Sequence, residues 1–281
     1  MQSQDLEVAG IGLRAVSVGG KETCIEVPAW RLAFDIGRCP PTAVRARQVL
    51  FTHSHVDHMG GVAHHTSLRA LQGMSAPRYL LPQEHHANFG TLMDAWRRLD
   101  GGELACDVVG VRPGDVVPLG GGRHAHVFRA IHRVAAVGYA IQSHRSRLRP
   151  EWQGRPGPEI GAARARGVAI MEEHQCTELA FCGDTTIDVV EREPLVRTAK
   201  VLVLECTFLP GGDSLERARR TGHVQLDQIA ERADLFENEA VVLTHFSARY
   251  SADQIVEALD ARLPKHLRDR VTPLLPWVRP A

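Results

Sequence analysis

Hydrophobic and polar positions divide the chain into short strand-like runs and a few longer amphipathic stretches. Before residue 40, β-branched and apolar positions alternate with glycine or charged breaks. This predicts a meander of strands over 11–18, 23–27 and 31–34, with Gly19-Gly20 turning the first into the second. Val49-Leu50-Phe51 is a continuous apolar run, the pattern of a buried strand. Thr66-Ser67 offers a cap for a helix to about residue 74. A strand over 78–81 comes next, and the helix after Pro82 contains His85, His86, Met93 and Trp96. Neither His85 nor His86 follows a strand, so both are expected as solvated helix residues. Runs at 108–117 and 124–130 read as further strands, as do 178–182, 200–204 and 240–243. Helices are expected over 224–236 and from the capping box Ser251-Ala252-Asp253-Gln254 to about Arg262. Strands, helices, then strands again suit a layered α/β sandwich.

Composition narrows this only in places. A chain of 281 residues is long enough to bury a large core, and the expectation is a single domain over 1–281. The 33 basic and 33 acidic residues cancel, so a nucleic-acid partner must be argued from charge distribution. No apolar run reaches the length of a membrane span, and Met1-Gln2-Ser3-Gln4-Asp5 lacks the basic start of a signal peptide. The six cysteines contain no Cys-x-x-Cys pair, which fits reduced thiols and a cytoplasmic protein. One stretch stands apart: residues 123–167 carry nine arginines against two glutamates. Its middle, 148–158, holds three prolines and two glycines and is expected to be irregular. It reads either as a solvated loop or as an arm-like insert at about 143–166. As an arm it would meet phosphates through Arg145, Arg147, Arg149 and Arg155, with Trp152 available for stacking.

The densest chemistry follows the buried run at 49–51. His53, His55, Asp57 and His58 fall within six residues, before Gly60-Gly61. A strand ending in such a loop presents imidazoles and a carboxylate, the nitrogen and oxygen ligands of zinc, to two adjacent ions. Asp35 ends the third strand nearby and is expected to orient a ligand. His132, Asp184 and His245 each close another predicted strand. Any one alone reads more simply as structural. Together with the first four they make seven ligands, enough for two metal ions with Asp184 between them. Paired ions can hold both oxygens of an in-line displacement at phosphorus. His223 is a candidate general acid, and Glu205 could orient or charge its imidazole, although by spacing alone a surface histidine is the simpler reading.

The His-x-His-x-Asp-His spacing matches the metallo-β-lactamase superfamily, and further motifs are more specific. His132-Arg133-Val134-Ala135-Ala136-Val137-Gly138-Tyr139, Gly183-Asp184-Thr185 and Thr244-His245-Phe246-Ser247-Ala248-Arg249-Tyr250 resemble successive motifs of tRNase Z (ribonuclease Z). Glu205-Cys206-Thr207 is similar to that family's Glu-Ala-Thr block and Gly222-His223 to its His-Ser-Thr block. Gly20-Lys21-Glu22-Thr23-Cys24 and the segment from Phe34 to Pro40 look most like the short, plant-type members. The resemblance runs from about Gly12 to Tyr250. It implies an αββα four-layer sandwich with a short basic inserted arm. It also implies two zinc ions per subunit, other divalent metals being possible. His53, His55 and His132 would hold one ion, Asp57, His58 and His245 the other, and Asp184 would bridge them. Asp57 would also accept a proton from the attacking water, while Glu205 and His223 would deliver one to the leaving oxygen. The implied activity is removal of the 3′ trailer from precursor tRNA, leaving a 3′-hydroxyl tRNA and a 5′-phosphate trailer. The implied assembly is a homodimer whose arm grips the tRNA elbow, with no membrane or DNA partner.

Two departures bear on substrate. The stretch 19–27 lacks the Pro-x-Lys-x-Arg-Asn loop of many members, and the arm is shorter, with Gly154-Arg155-Pro156-Gly157-Pro158 resembling the remnant of its Gly-Pro motif. A phosphodiesterase of a small diester or cyclic nucleotide is therefore the alternative, followed by a carboxyl-ester, lactone or thioester hydrolase on the same scaffold. A non-enzymatic scaffold would lose metal ligands, and all seven are present.

Overall fold

The computed structural model describes residues 2–276; the side chains of 144–147, 173 and 174 lie outside the described set. Two seven-stranded sheets form its centre. In chain order the first comprises β1 (Gln4–Val8), β2 (Ile11–Val18), β3 (Glu22–Val27), β4 (Leu32–Phe34), β5 (Gln48–Leu50), β6 (Arg78–Pro82) and β7 (Asp107–Val111). The second comprises β8 (Val116–Gly120), β9 (Arg123–Arg129), β10 (Val137–Leu148), β11 (Met171–Phe181), β12 (Val201–Glu205), β13 (Ala240–Thr244) and β14 (Val271–Pro273). The helices are α1 (Val56–Met59), α2 (Val62–Leu71), α3 (His86–Asp100), α4 (Gly157–Ala165), α5 (Asp188–Arg192), α6 (Pro194–Thr198), α7 (Ser214–Thr221), α8 (Leu226–Ala230), α9 (Ala252–Arg262) and α10 (Lys265–Arg268).

Alternation along the strands builds the layers. In β12, Val201 and Val203 join Phe34, Leu50, Tyr139 and Phe181 in the core between the sheets. Leu202 and Leu204 face the other way, onto Val189, Leu226 and Ile255 of the overlying helices. Val62, Phe89 and Met93 cover the first sheet's outer face, against Val49, Phe51 and Tyr79. A strand buried on both faces reads as an unbroken apolar run, which is why 200–204 and 49–51 were conspicuous. The architecture is the αββα sandwich expected from the resemblance.

Several element boundaries differ from the sequence reading. The run 108–117 is two strands in different sheets, because Pro113-Gly114, with Gly114 at φ +97°, turns the chain from β7 into β8. Thr66 is not a cap: α2 starts at Val62, and the Thr66 hydroxyl donates back to the Val62 carbonyl at 2.9 Å. The helix expected over 224–236 stops at Ala230, and after Arg232 leaves helical geometry a 3-10 turn spans Ala233–Leu235. The segment 148–158 is partly regular, with a 3-10 turn at Pro150–Trp152 and α4 starting at Gly157. Pro158 is tolerated there because the first turn of a helix needs no N–H from it. Edge strand β1 escaped notice because only half of each residue pair is covered.

Candidate metal centre

The first sheet delivers its site residues from the C-terminal ends of β4 and β5, and the second from the ends of β9, β11, β12 and β13. Strand-end loops of both sheets therefore meet along one edge. The closure is tight. Gly183 sits at φ +61°, where a Cβ would lie 2.6 Å from that of Thr52, and a Cβ on Gly37 would lie 2.0 Å from the Asp57 carbonyl oxygen. Asp35 (φ 55°) and His245 (φ 60°) hold left-handed backbone without being glycine. Such geometry costs on the order of 1–2 kcal/mol per residue and persists where surroundings enforce it. At His245 the enforcement includes an N–H bond to the Ser17 hydroxyl at 3.1 Å.

All seven predicted ligands converge. One group contains His53, His55, His132 and Asp184, a second Asp57, His58 and His245, with the ligand atoms of each group within 4.8 Å of one another. Asp184 faces both. Its Oδ2 lies 3.8 Å from His53 Nε2 and 3.9 Å from His132 Nε2, while Oδ1 lies 3.4 Å from both His58 Nε2 and His245 Nε2.

Hydrogen bonds behind the rings fix which nitrogen is free. Thr52 Oγ1 donates to Asp35 Oδ2 at 2.9 Å, so at 3.0 Å it can only accept from His53 Nδ1–H. Thr207 Oγ1 donates to Glu205 Oε2 at 2.6 Å and so accepts from His245 Nδ1–H at 2.9 Å. His58 Nδ1–H donates to Asp35 Oδ2 at 2.8 Å, and His132 Nδ1–H donates to the Gly222 carbonyl at 2.9 Å. Four imidazoles, each held through Nδ1, thus aim their Nε2 atoms at the same space. The Nε2 atoms of His58 and His245 are buried without a hydrogen-bond partner. Orphaned buried nitrogens are costly, and a divalent metal is what this donor set fits.

Electrostatics agree. Burial, with neighbouring His58, holds the His53 pKa well below the ordinary histidine value, and burial lowers His55 and His132. Burial also opposes charge on His58, yet Asp184 and Asp35 together push its pKa well above the ordinary value. Burial likewise opposes charge on Asp184, but His245 and His58 hold it well below the carboxylate range. The Asp184 carboxylate is therefore charged and would favour cations.

His223 and Glu205 lie against this centre. Glu205 Oε1 accepts from His223 Nδ1 at 2.8 Å and from the Thr185 N–H at 2.9 Å. Burial lowers the His223 pKa, but the Glu205 charge outweighs it and raises the value to about 9. His223 keeps 13% of its side-chain surface exposed, so the ring reaches the mouth of the site.

The arm residues do not join the cluster. Strand β10 starts beside it, where the Val137 N–H donates to the Thr52 carbonyl, and its twelve residues lead away. At ~3.3 Å per residue they span roughly 36 Å. Arg149 and Arg155 are exposed beyond them, with the Arg155 guanidinium 4.8 Å over the Trp152 ring. The Arg145 and Arg147 side chains lie outside the described residues. His85, expected to be solvated, is half-buried, with Nε2 3.0 Å from the Ala135 carbonyl and 3.4 Å from Ser54 Oγ. Sequence reasoning missed Thr52 and Thr207, whose signal was a threonine within two residues of His53 and of Glu205.

Residues 31–246 match the model of the β-lactamase superfamily domain. Over 268 residues, 95% of each chain, the sequence is 37% identical to tRNase Z TRZ1 of Arabidopsis thaliana. This chain belongs to the tRNase Z family. It is also 32% identical to the chloroplastic tRNase Z TRZ2 of the same plant, covering 96% of this chain and 76% of that one. Among solved structures, YhfI of Bacillus subtilis, a metallo-β-lactamase fold protein, aligns with a TM-score of 0.63 at 14% identity, covering 92% and 94% of the two chains. Human tRNase Z, short form, aligns at 0.53 and 19% identity, covering 85% and 87%. Both show the fold. In this tRNase Z family member the six cysteines are free thiols, and no described helix is long and apolar enough to cross a membrane.

Proposed function

We propose that the chain is a dinuclear zinc endoribonuclease that removes the 3′ trailer of precursor tRNA. The observation that carries this reading is Asp184, one oxygen toward each half of the ligand cluster, with the Glu205–His223 pair beside it. His53, His55 and His132 would hold one zinc ion, Asp57, His58 and His245 the other, with Asp184 shared. When bound, the ions would supply Lewis acidity and a water made acidic enough to attack phosphorus.

The chain's own groups do the rest. Asp57 is partly exposed at the mouth, with Oδ2 3.7 Å from His245 Nε2, and burial raises its pKa, but the neighbouring His245 and His58 outweigh burial and hold it below the ordinary carboxylate value. With no hydrogen bond to His245, that carboxylate keeps its acceptor oxygens free and is suited to take the proton of the incoming water. His223, with Nδ1 3.9 Å from Asp184 Oδ2, would donate a proton to the leaving 3′ oxygen of the tRNA, and Glu205 would hold the ring charged and oriented. The products would be a 3′-hydroxyl tRNA and a 5′-phosphate trailer. Asp35, Thr52 and Thr207 position ligands and do not touch substrate. In this reading the chain is one domain over 1–281, and the insert at 143–166 projects as an arm. Two such arms in a homodimer would present Arg145, Arg147, Arg149, Arg155 and Trp152 to the tRNA elbow.

The test is cleavage of one precursor tRNA carrying a 3′ trailer, with both new ends mapped and a nitrophenyl phosphodiester assayed in parallel. A single cut near the discriminator base, leaving those ends and lost on chelation, is the expected result. Diester turnover with uncut tRNA would reassign the chain to a small-diester phosphodiesterase.

A further inference from the structure

Strands β4 and β5 carry the metal centre at their C-terminal ends, and at their opposite ends they carry something else. Arg31 immediately precedes β4 and Arg47 immediately precedes β5. Arg45 stands on the 3-10 turn between them, and Arg69 comes from the last turn of α2. With Arg14 these residues line a recess of about 620 Å³ whose only acidic lining residue is Glu26.

The charge is only partly cancelled locally. Arg14 is committed to Asp5, with Nε donating at 2.7 Å, and Glu26 Oε1 accepts from the Thr42 hydroxyl at 2.6 Å. Among the described residues, Arg31, Arg45 and Arg47 form no ion pair and are exposed. Arg69 is 3% exposed and donates only to the carbonyls of Val44, Ala46 and Ser75, so its charge meets no carboxylate. A chain of zero net charge has thus gathered five arginines around one recess. With Arg14 paired to Asp5, the charges of Arg31, Arg45, Arg47 and Arg69 meet no carboxylate partner among the described residues, and an anion would complement them. Burial and the neighbouring Arg47 charge both lower the Arg69 pKa.

The recess is also held in shape. The Arg47 N–H donates to the Arg31 carbonyl at 2.8 Å, and the Arg78 N–H donates to the Arg47 carbonyl at 2.9 Å, which fixes the strand starts that carry the arginines. Its volume falls within the roughly 300–1,000 Å³ of small-molecule sites. Guanidinium forks match phosphate oxygens two at a time. Leu32, Pro28 and Met74 add apolar wall, and Gln72 and Ser75 add polar groups.

We propose that this recess, at the strand ends opposite the histidine cluster, binds a small polyphosphorylated anion of the nucleoside polyphosphate or pyrophosphate class. It is a second site, separate from the reaction centre and independent of what that centre cleaves.

The experiment is calorimetric titration of the zinc-loaded enzyme with pyrophosphate and with a nucleoside triphosphate. It is done on wild type, on the double variant Arg45→Glu/Arg47→Glu, and on Arg31→Ala. Saturable binding should fall by at least about tenfold in the double variant, since each lost charge-assisted contact carries about that much. Arg31→Ala should lose less. Nitrophenyl diester turnover and thermal midpoint should match wild type, because these side chains are exposed and, among the described residues, form no ion pair within the fold. Tighter binding of the triphosphate than of pyrophosphate would identify the nucleotide as the source, and the reverse would identify the bare polyphosphate. Equal binding by the double variant, or competitive inhibition of diester turnover at the binding affinity, would place the anion at the metal centre and overturn the proposal. Loss of tRNA affinity in the variant without small-anion binding would reassign the recess to an RNA surface.

Discussion

Glu205 holds His223 from behind: its Oε1 sits 2.8 Å from His223 Nδ1, while its Oε2 takes the Thr207 hydroxyl that orients His245. One buried carboxylate thereby ties the candidate proton donor to a candidate metal ligand. Three backbone N–H groups, of Thr185, Val224 and Thr207, complete its coordination at 2.9, 3.2 and 3.3 Å. His223→Ala should slow cleavage of precursor tRNA by about 10²–10⁴-fold, the usual contribution of a general acid. A nitrophenyl diester has a leaving group that hardly needs a proton, so its turnover should fall far less. Equal losses on both substrates would remove His223 from that role.

Glu205→Gln separates charge from shape. The amide oxygen can still accept from backbone, but the charge that raises His223 to about 9 is gone. The alkaline limb of tRNA cleavage should then move to lower pH, because His223 loses its proton earlier. An unmoved limb, with metal content preserved, would mean another group sets it.

Much of this centre could be read from the chain because each ligand closes an apolar run, and a run ending in His or Asp is a local signal. His53, Asp184 and His245 were visible for that reason. What orients them was not, since hydroxyl partners are set by tertiary contact. Thr52 and Thr244 both precede a histidine, yet only Thr52 bonds its neighbour; the Thr244 hydroxyl turns to the Leu204 carbonyl, and His245 takes Thr207 instead. Periodicity failed in the same way at 108–117, where two strands of different sheets share one apolar pattern across Pro113-Gly114. The arginine recess left no local signal, because Arg14 and Arg69 approach it from distant segments.

Asp35 bonds both His58 Nδ1 and the Thr52 that orients His53. Asp35→Asn should weaken metal binding by about 10–100-fold, as second-sphere changes typically do. Asparagine tolerates the φ of +55° at this position, so backbone strain is not the cause. Competition against a chromophoric chelator measures the affinity; an unchanged value would show that Asp35 serves the fold alone.

Arg149 and Arg155 are exposed on the arm, remote from the metal cluster. Replacing both with alanine should weaken precursor tRNA binding. It should also flatten the slope of log affinity against log salt by about one to two units, since each phosphate contact contributes ~0.7–0.9. Nitrophenyl diester turnover should be unaffected. A parallel loss of diester turnover would show that the change reaches the metal centre and would withdraw the arm assignment.

His65 offers a check on the fold away from the catalytic edge. Its ring is buried, with Nδ1 2.7 Å from the Tyr79 hydroxyl and Nε2 3.1 Å from the Ala43 carbonyl. Burial, aided by the Arg69 charge, lowers its pKa to about 4. The unfolded chain binds this proton near pH 6.5 and the native chain only near 4, so between those values unfolding takes up a proton. Stability from this group is therefore complete above about pH 6.5 and falls as the pH drops toward 4. The loss between pH 7 and pH 5 should be on the order of 2 kcal/mol. His65→Gln keeps a polar side chain but cannot titrate. Urea unfolding of the two proteins across this range should show their stability gap narrowing as the pH falls, with the metal ligands titrating alike in both and cancelling. Curves that stay parallel would mean that His65 carries its proton in the native protein as readily as in the unfolded one.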